Sequence, residues 1–234
     1  MKSETVKPGM APLTSTSYYE EGRLATVTPY GTTIIDAQKR IIIQTTPWNK
    51  VYAKATVEEM AQKVKEVENR MKAMLAKMPP EQQAKVKEKL GIGKPKPKIT
   101  VKRVGEGTIL DHPCDIYEIY QGKDKAMKLW IAKDAQAFSP ENTKKFEETV
   151  KKAFPSIQED LGGFRLENTP EFKEVTRRGL VLKIIDYRNG SIVRTVDLKK
   201  ASIPLDRFSP PPGYKEVGWE ELRLQKPLPQ PSIQ

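Results

Sequence analysis

The chain has 234 residues, with 41 Lys and Arg against 30 Asp and Glu and a formal net charge of +11, which is length enough for one large domain or two small ones. Charged residues make up 30% of it, and no run approaches the ~20 apolar residues with which a helix crosses a bilayer, so a folded, soluble chain is expected. A single cysteine excludes an internal disulfide and any multi-cysteine zinc site, and no charged-then-apolar leader opens the sequence.

Residues 1–17 contain Pro8, Gly9 and Pro12 with few apolar anchors and read as an extended lead-in, the end of a first strand whose partner lies upstream. From Tyr18 short strands follow. Arg23 to Val27 precedes a Pro29-Tyr30-Gly31 turn, and Thr32 to Asp36, Arg40 to Thr45 and Lys50 to Ala55 come next with four-residue connections, which is an antiparallel meander.

Thr56-Val57-Glu58-Glu59 is a capping box and starts a helix. Met60, Val64, Val67, Met71, Met74, Leu75 and Met78 recur at spacings of three and four, and at ~100° per residue they fall in one apolar stripe. Pro79-Pro80 ends that helix and starts a shorter one closed by Gly91, and GIGKPKPK leads back to the sheet. Between Lys50 and Arg103 there are 15 Lys or Arg and 6 Asp or Glu, so most of the excess charge sits here. Such a segment suits a solvated helix face or an anionic membrane surface. Nucleic acid is the poorer match, because no aromatic platform accompanies the charge.

Gly107 to Asp134 reads as two strands about a Gln121-Gly122-Lys123-Asp124 turn, with Met127, Leu129 and Ile131 alternating onto one face. Ser139-Pro140 opens a further helix, whose inner face is Phe146, Val150 and Phe154. Pro155 to Leu161 adds a turn and Gly162-Gly163 breaks it. Gly179 to Tyr187 and Ser191 to Lys200 form a hairpin about Asn189-Gly190, and the end, residues 218–234, is proline-rich and extended. The order fits a single α+β domain over residues 18–217, an antiparallel sheet with helices gathered on one face.

Reactive groups are sparse. His112 is the sole imidazole and lies two residues from Cys114 with Pro113 between, so Cys114 reads as a small buried apolar residue rather than a nucleophile. One His and one Cys, even beside Asp111 and Asp115, make no metal set. Gly91-Ile92-Gly93-Lys94 is too short for a phosphate loop and follows a helix. No catalytic residue, no metal and no cofactor is expected, and the chain reads as a non-enzyme.

The order "TTIID-AQKRIII…NKVYAKATVEEM", a Met-rich helix, "GEGTILDHPCDIYEIY…KLWIAKD" and "GLVLKIIDYRNGSIVRTVDLKKASIPLDRFSPPPGYKEV" resembles a family of exported bacterial proteins of unknown function. The matching marks are the strand pair with one Cys, the Trp-bearing return strand, and a closing segment of Phe208 with Pro212-Gly213-Tyr214. That family is similar to the outer-membrane lipoprotein carrier and receptor, the LolA/LolB-like fold. The resemblance implies a curved antiparallel sheet, an incomplete barrel, with helices covering its concave face. It implies a periplasmic or envelope-associated protein that binds lipid or lipoprotein acyl chains between sheet and helices. The residues placed to line that space are Met60, Val64, Val67, Met71 and Leu75 on the long helix, Met127, Leu129 and Ile131 on the hairpin, and Phe146 and Val150 on the later helix. The alternative is an envelope interaction or sensor module of the same fold with a filled core and no ligand.

Overall fold

The computed structural model describes residues 1–89, 92–93, 95–155 and 164–224. Most of the turn expected over 155–161, the Gly162-Gly163 break and the last ten residues of the proline-rich end lie outside them.

The first six strands are β1 (Lys2–Val6), β2 (Leu13–Glu20), β3 (Arg23–Thr28), β4 (Gly31–Asp36), β5 (Ile41–Thr46) and β6 (Val51–Thr56). The later ones are β7 (Ile99–Ile109), β8 (His112–Gln121), β9 (Asp124–Ala132), β10 (Leu180–Asp186), β11 (Ser191–Asp197) and β12 (Lys215–Glu216). All lie in one open sheet of 12 strands, in the order β12-β6-β5-β4-β3-β2-β1-β11-β10-β9-β8-β7. The sheet does not close on itself, and every pair is antiparallel except the short β12–β6 contact. It is thus the α+β arrangement expected, built from two meanders that meet where β1 pairs with β11.

The expectation for the N-terminus is corrected. Residues 1–17 are not a lead-in: β1 and most of β2 lie in the middle of the sheet, and the partners of β1 are β2 and β11, both downstream. The alternation was hard to read because the inward positions carry small hydroxyls, with Ser3 facing Ser15 on one side and Thr195 on the other. Ser3, Ser17 and Thr195 are buried nonetheless. An extra strand also precedes the expected hairpin: β7 pairs with β8 along its length, with the register slipping at Val104, between Arg103 and Gly105. Two hairpins close through residues with positive φ, Glu21-Gly22 before β3 and Leu110-Asp111 before β8. Gly31 opens β4 at a φ of 140°, where a Cβ would collide with the Thr45 carbonyl oxygen of β5.

Helix α1 (Val57–Lys77) begins with the reciprocal box the sequence announces: Thr56 Oγ1 accepts from the Glu59 amide at 3.1 Å, and Glu59 Oε2 accepts from the Thr56 amide at 2.7 Å. α2 (Pro80–Lys89) follows, and α3 (Pro140–Ala153) is capped by the Ser139 hydroxyl, which accepts from the Asn142 amide. Two short helices, α4 (Pro170–Thr176) and α5 (Trp219–Leu224), fall where no helix was expected, α5 in the tail read as extended. α5 places part of the anticipated C-terminal tail against the sheet, with Leu222 buried on Val51 and Ala53 of β6.

The helix side of the sheet holds two separate apolar centres. Ile35, Ile42 and Ala55 of the first meander pack with Val57 and Met60 of α1 and with Phe146, Val150 and Ala153 of α3. Tyr117, Ile119, Met127, Leu129 and Ile131 of the second pack with Leu166 and with Phe172 and Val175 of α4. Between them lies the small-hydroxyl strip of β1, β2 and β11. On the opposite face Ala25, Ile34 and Ile43 are covered by Phe208 and Ile203, and Cys114, Ala132 and Leu182 form another patch with Trp130.

Candidate functional site

A cleft of about 360 Å³ opens between α1, the end of α3 and α5, over β5. Its apolar wall is Met60, Val64 and Val67 of α1, Phe154 just beyond α3, and Trp219 at the start of α5. Gln44 of β5 and the charged Lys63, Glu66, Arg70 and Glu220 complete the lining. The stripe on α1 explains the wall. Val57 and Met60 reach the sheet, while Val64 and Val67, one and two turns further, stand outside the sheet core and line the cleft together with Phe154 and Trp219. Phe154 is 40% exposed, an apolar ring left open to water by the packing around it. Trp219 is half-buried, and its indole Nε1, a hydrogen-bond donor, is buried without a partner among the described residues.

Outside the cleft, charge joins the elements that carry its walls. Glu58 in the first turn of α1 accepts from Arg40 at 2.7 Å and from Lys152 of α3 at 2.9 Å, joining the β4–β5 turn, α1 and α3. The Lys152 and Arg40 contacts lower its carboxyl to about 2. At the other end of α3, the Asn142 side chain accepts from Gln38 Nε2 at 3.1 Å, and Phe138 bridges Tyr19 of β2 and Phe146 by ring contacts at 5.7 and 5.1 Å.

The ten residues expected to line one space are divided by the structure. Met60, Val64 and Val67 line the cleft, and Phe146 and Val150 lie beside Met60 in the core beneath it. Met71 and Leu75 lie further along α1, beyond the lining, Met71 partly exposed and Leu75 buried. Met127, Leu129 and Ile131 do not face α1; they are buried in the second centre against Leu166 and Val175. The expectation placed one layer of helices over the whole sheet, whereas α4 covers the second meander on its own. Sequence reasoning missed Phe154 as a wall of an open space, Trp219 altogether, and the Lys63–Arg70 edge. An isolated tryptophan after Pro212-Gly213-Tyr214, in a stretch otherwise poor in apolar residues, was the available signal.

The His112–Cys114 neighbourhood is structural. Cys114 is buried, its Sγ donates to the His112 carbonyl at 3.4 Å, and burial pushes its thiol pKa up. His112 Nδ1 turns instead to Asp134, 3.0 Å from each carboxylate oxygen. Among the described residues no three His, Cys, Asp or Glu side chains converge as a metal would need, and no helix is long and apolar enough to cross a membrane.

A family model described as a domain of unknown function, DUF4412, matches residues 74–214. No curated protein matches the chain. Among solved structures, an uncharacterised conserved protein from Thermus thermophilus is 7% identical with a TM-score of 0.44, over 93% of this chain and 88% of that one. A chain of PNGF-II crystallised in space group C2 is 11% identical with a TM-score of 0.38, over 95% of this chain. The present chain spans 31% of the length of that PNGF-II chain.

Proposed function

The chain belongs to the DUF4412 family, a domain of unknown function, and from that premise we propose that it is a non-enzymatic, extracytoplasmic protein that holds an acyl chain of a lipid or lipoprotein in the cleft between α1, α3 and α5. The observation that carries this reading is the wall of Met60, Val64, Val67, Phe154 and Trp219 around about 360 Å³ of space. That size lies at the low end of the ~300–1,000 Å³ of small-molecule sites and suits one chain rather than two side by side. The Met60 thioether gives an acyl chain a wall that repacks at little cost, the two valines give it a fixed apolar one, and the unpartnered Trp219 Nε1 offers a donor to a polar end group. The non-enzymatic reading rests on the lining, which sets no nucleophile beside a base. The resemblance to the lipoprotein carrier and receptor fold supports the envelope location and the acyl ligand.

The test is displacement of a fluorescent fatty-acid probe, with native mass spectrometry of the purified protein. Val67→Trp fills the space from a partly exposed position on α1, so it is expected to weaken probe binding at least about tenfold, a loss of ~1.4 kcal/mol, with the melting temperature unchanged. A Val67→Trp protein that binds the probe as wild type does, or a wild type that binds none, ends the reading.

A further inference from the structure

We propose that the distal half of α1 together with α2 is a docking arm that seats the mouth of the cleft on an anionic lipid surface. The purpose of such an arm rests on the acyl-chain reading, but the observations behind it are independent of the cleft.

The apolar stripe of α1 does not stop where the cleft does. Met60, Val64 and Val67 serve the core and the cleft, and Met71, Met74 and Met78 continue the same ~100° arc toward the tip. From Met71 to Glu88 Leu75 alone among the described residues is buried, and Met74 is 54% exposed. α2 is held to this end of α1 by Gln83 Nε2, which donates to the Leu75 carbonyl at 3.0 Å. The arm therefore presents a methionine stripe that the fold covers only in part, with Met74 exposed and Met71 and Met78 half-buried.

The charges beside the stripe select its partner. Lys63, Arg70 and Lys77 recur every seven residues, two turns apart, and so form one cationic row along a single flank. Arg70 and Lys77 have no ion-pair partner among the described residues and Lys63 acts on the Glu59 carboxylate only through space, whereas Lys72 and Lys85 are neutralised by Glu68 and Glu81 on their own helices. The first two members of the row stand in the lining of the cleft and the third on the arm, so row and stripe run together from cleft to tip. From Arg70 to Lys98 the sequence carries nine Lys or Arg against two Glu. A partly exposed apolar stripe flanked by a cationic row is the pattern of a helix lying in the headgroup layer, with its methionines among the upper acyl carbons and its cations at the phosphates. A polyanion such as nucleic acid is the poorer match, because no aromatic ring stands on the arm for a base to stack on.

Flotation of the full chain with phosphatidylcholine vesicles, and with vesicles of phosphatidylcholine and phosphatidylglycerol, tests the proposal. Binding is expected to the mixed vesicles alone and to fall at high salt. Each cation near such a surface contributes on the order of fivefold, so Lys77→Glu is expected to weaken binding by about tenfold or more. Met74→Asp should weaken it comparably. Both positions are exposed, and circular dichroism checks that the variants remain folded. Equal binding to the neutral vesicles overturns the proposal. So does unchanged vesicle binding by Met74→Asp, or a DNA oligonucleotide that Met74→Asp binds as tightly as wild type and that displaces the vesicles. Fatty-acid probe binding in solution is read in parallel and is expected to be unchanged in both variants. Vesicle binding without probe binding would leave the arm standing and remove the acyl-chain reading; probe binding without vesicle binding would do the reverse.

Discussion

Glu58 joins three of the elements around the cleft through exposed ion pairs. It sits in the first turn of α1, where the helix dipole already favours a negative charge, and it collects Lys152 from α3 and Arg40 from the turn before β5. Its folded pKa of about 2 lies below the ordinary glutamate value of 4.5, so any stability it contributes is complete above about pH 4.5 and is lost as the pH falls toward 2. Glu58→Gln should therefore flatten the acid limb of the stability curve between those values and leave its shape at neutral pH unaltered. Melting curves of both proteins across that range decide it; parallel acid limbs would show that Glu58 is not coupled to folding. At this scale the sequence was informative where chemistry is local. The Thr56–Glu59 box follows from four consecutive residues. The Glu58–Lys152 contact joins positions far apart in sequence, and nothing in either neighbourhood announces it. Trp219 was illegible for the same reason: its partners Met60 and Val51 lie in elements far upstream.

At the scale of elements, the two apolar centres behave as separate units. Leu129 is fully buried in the second, against Leu166 and Val175, while the cleft belongs to the first. Leu129→Ala is expected to cost about 2–5 kcal/mol of stability, the usual range for emptying a packed site, without changing probe affinity in the folded protein. Urea unfolding and probe titration separate the two quantities. A fall in affinity at full folding would place the β8–β9 hairpin in the site after all. Elements with a strong periodic stripe, such as α1, and alternating strands such as β9 were legible. α4 and α5 were not, being seven and six residues long, shorter than the span over which a helical period declares itself. β1 escaped because burial there falls on Ser3, which carries no hydrophobic signal.

On the scale of the whole molecule, the fold class followed from the order of strands and helices, but the joining of the halves did not. The first meander is local in sequence, while the second carries α3 and α4 between β9 and β10; the contact that makes them one sheet is β1 with β11, from near the two ends of the chain. An open sheet of this width has two free edges. One is the two-residue β12, too short to template a neighbour. The other is β7, 11 residues long with Val104 45% exposed, which would invite another chain to add to it. The register slip at Val104 breaks the row of outward amides and carbonyls at its middle, and Lys102, Arg103 and Glu106 flank the break with charge. Deleting Val104 should restore an even ladder of hydrogen-bonding groups, and light scattering is expected to show association that rises with concentration; a strictly monodisperse deletion protein would contradict this. On that expectation the one surplus residue in the outermost strand acts as a chain terminator, stopping the addition of a further strand to the long edge of a twelve-stranded sheet.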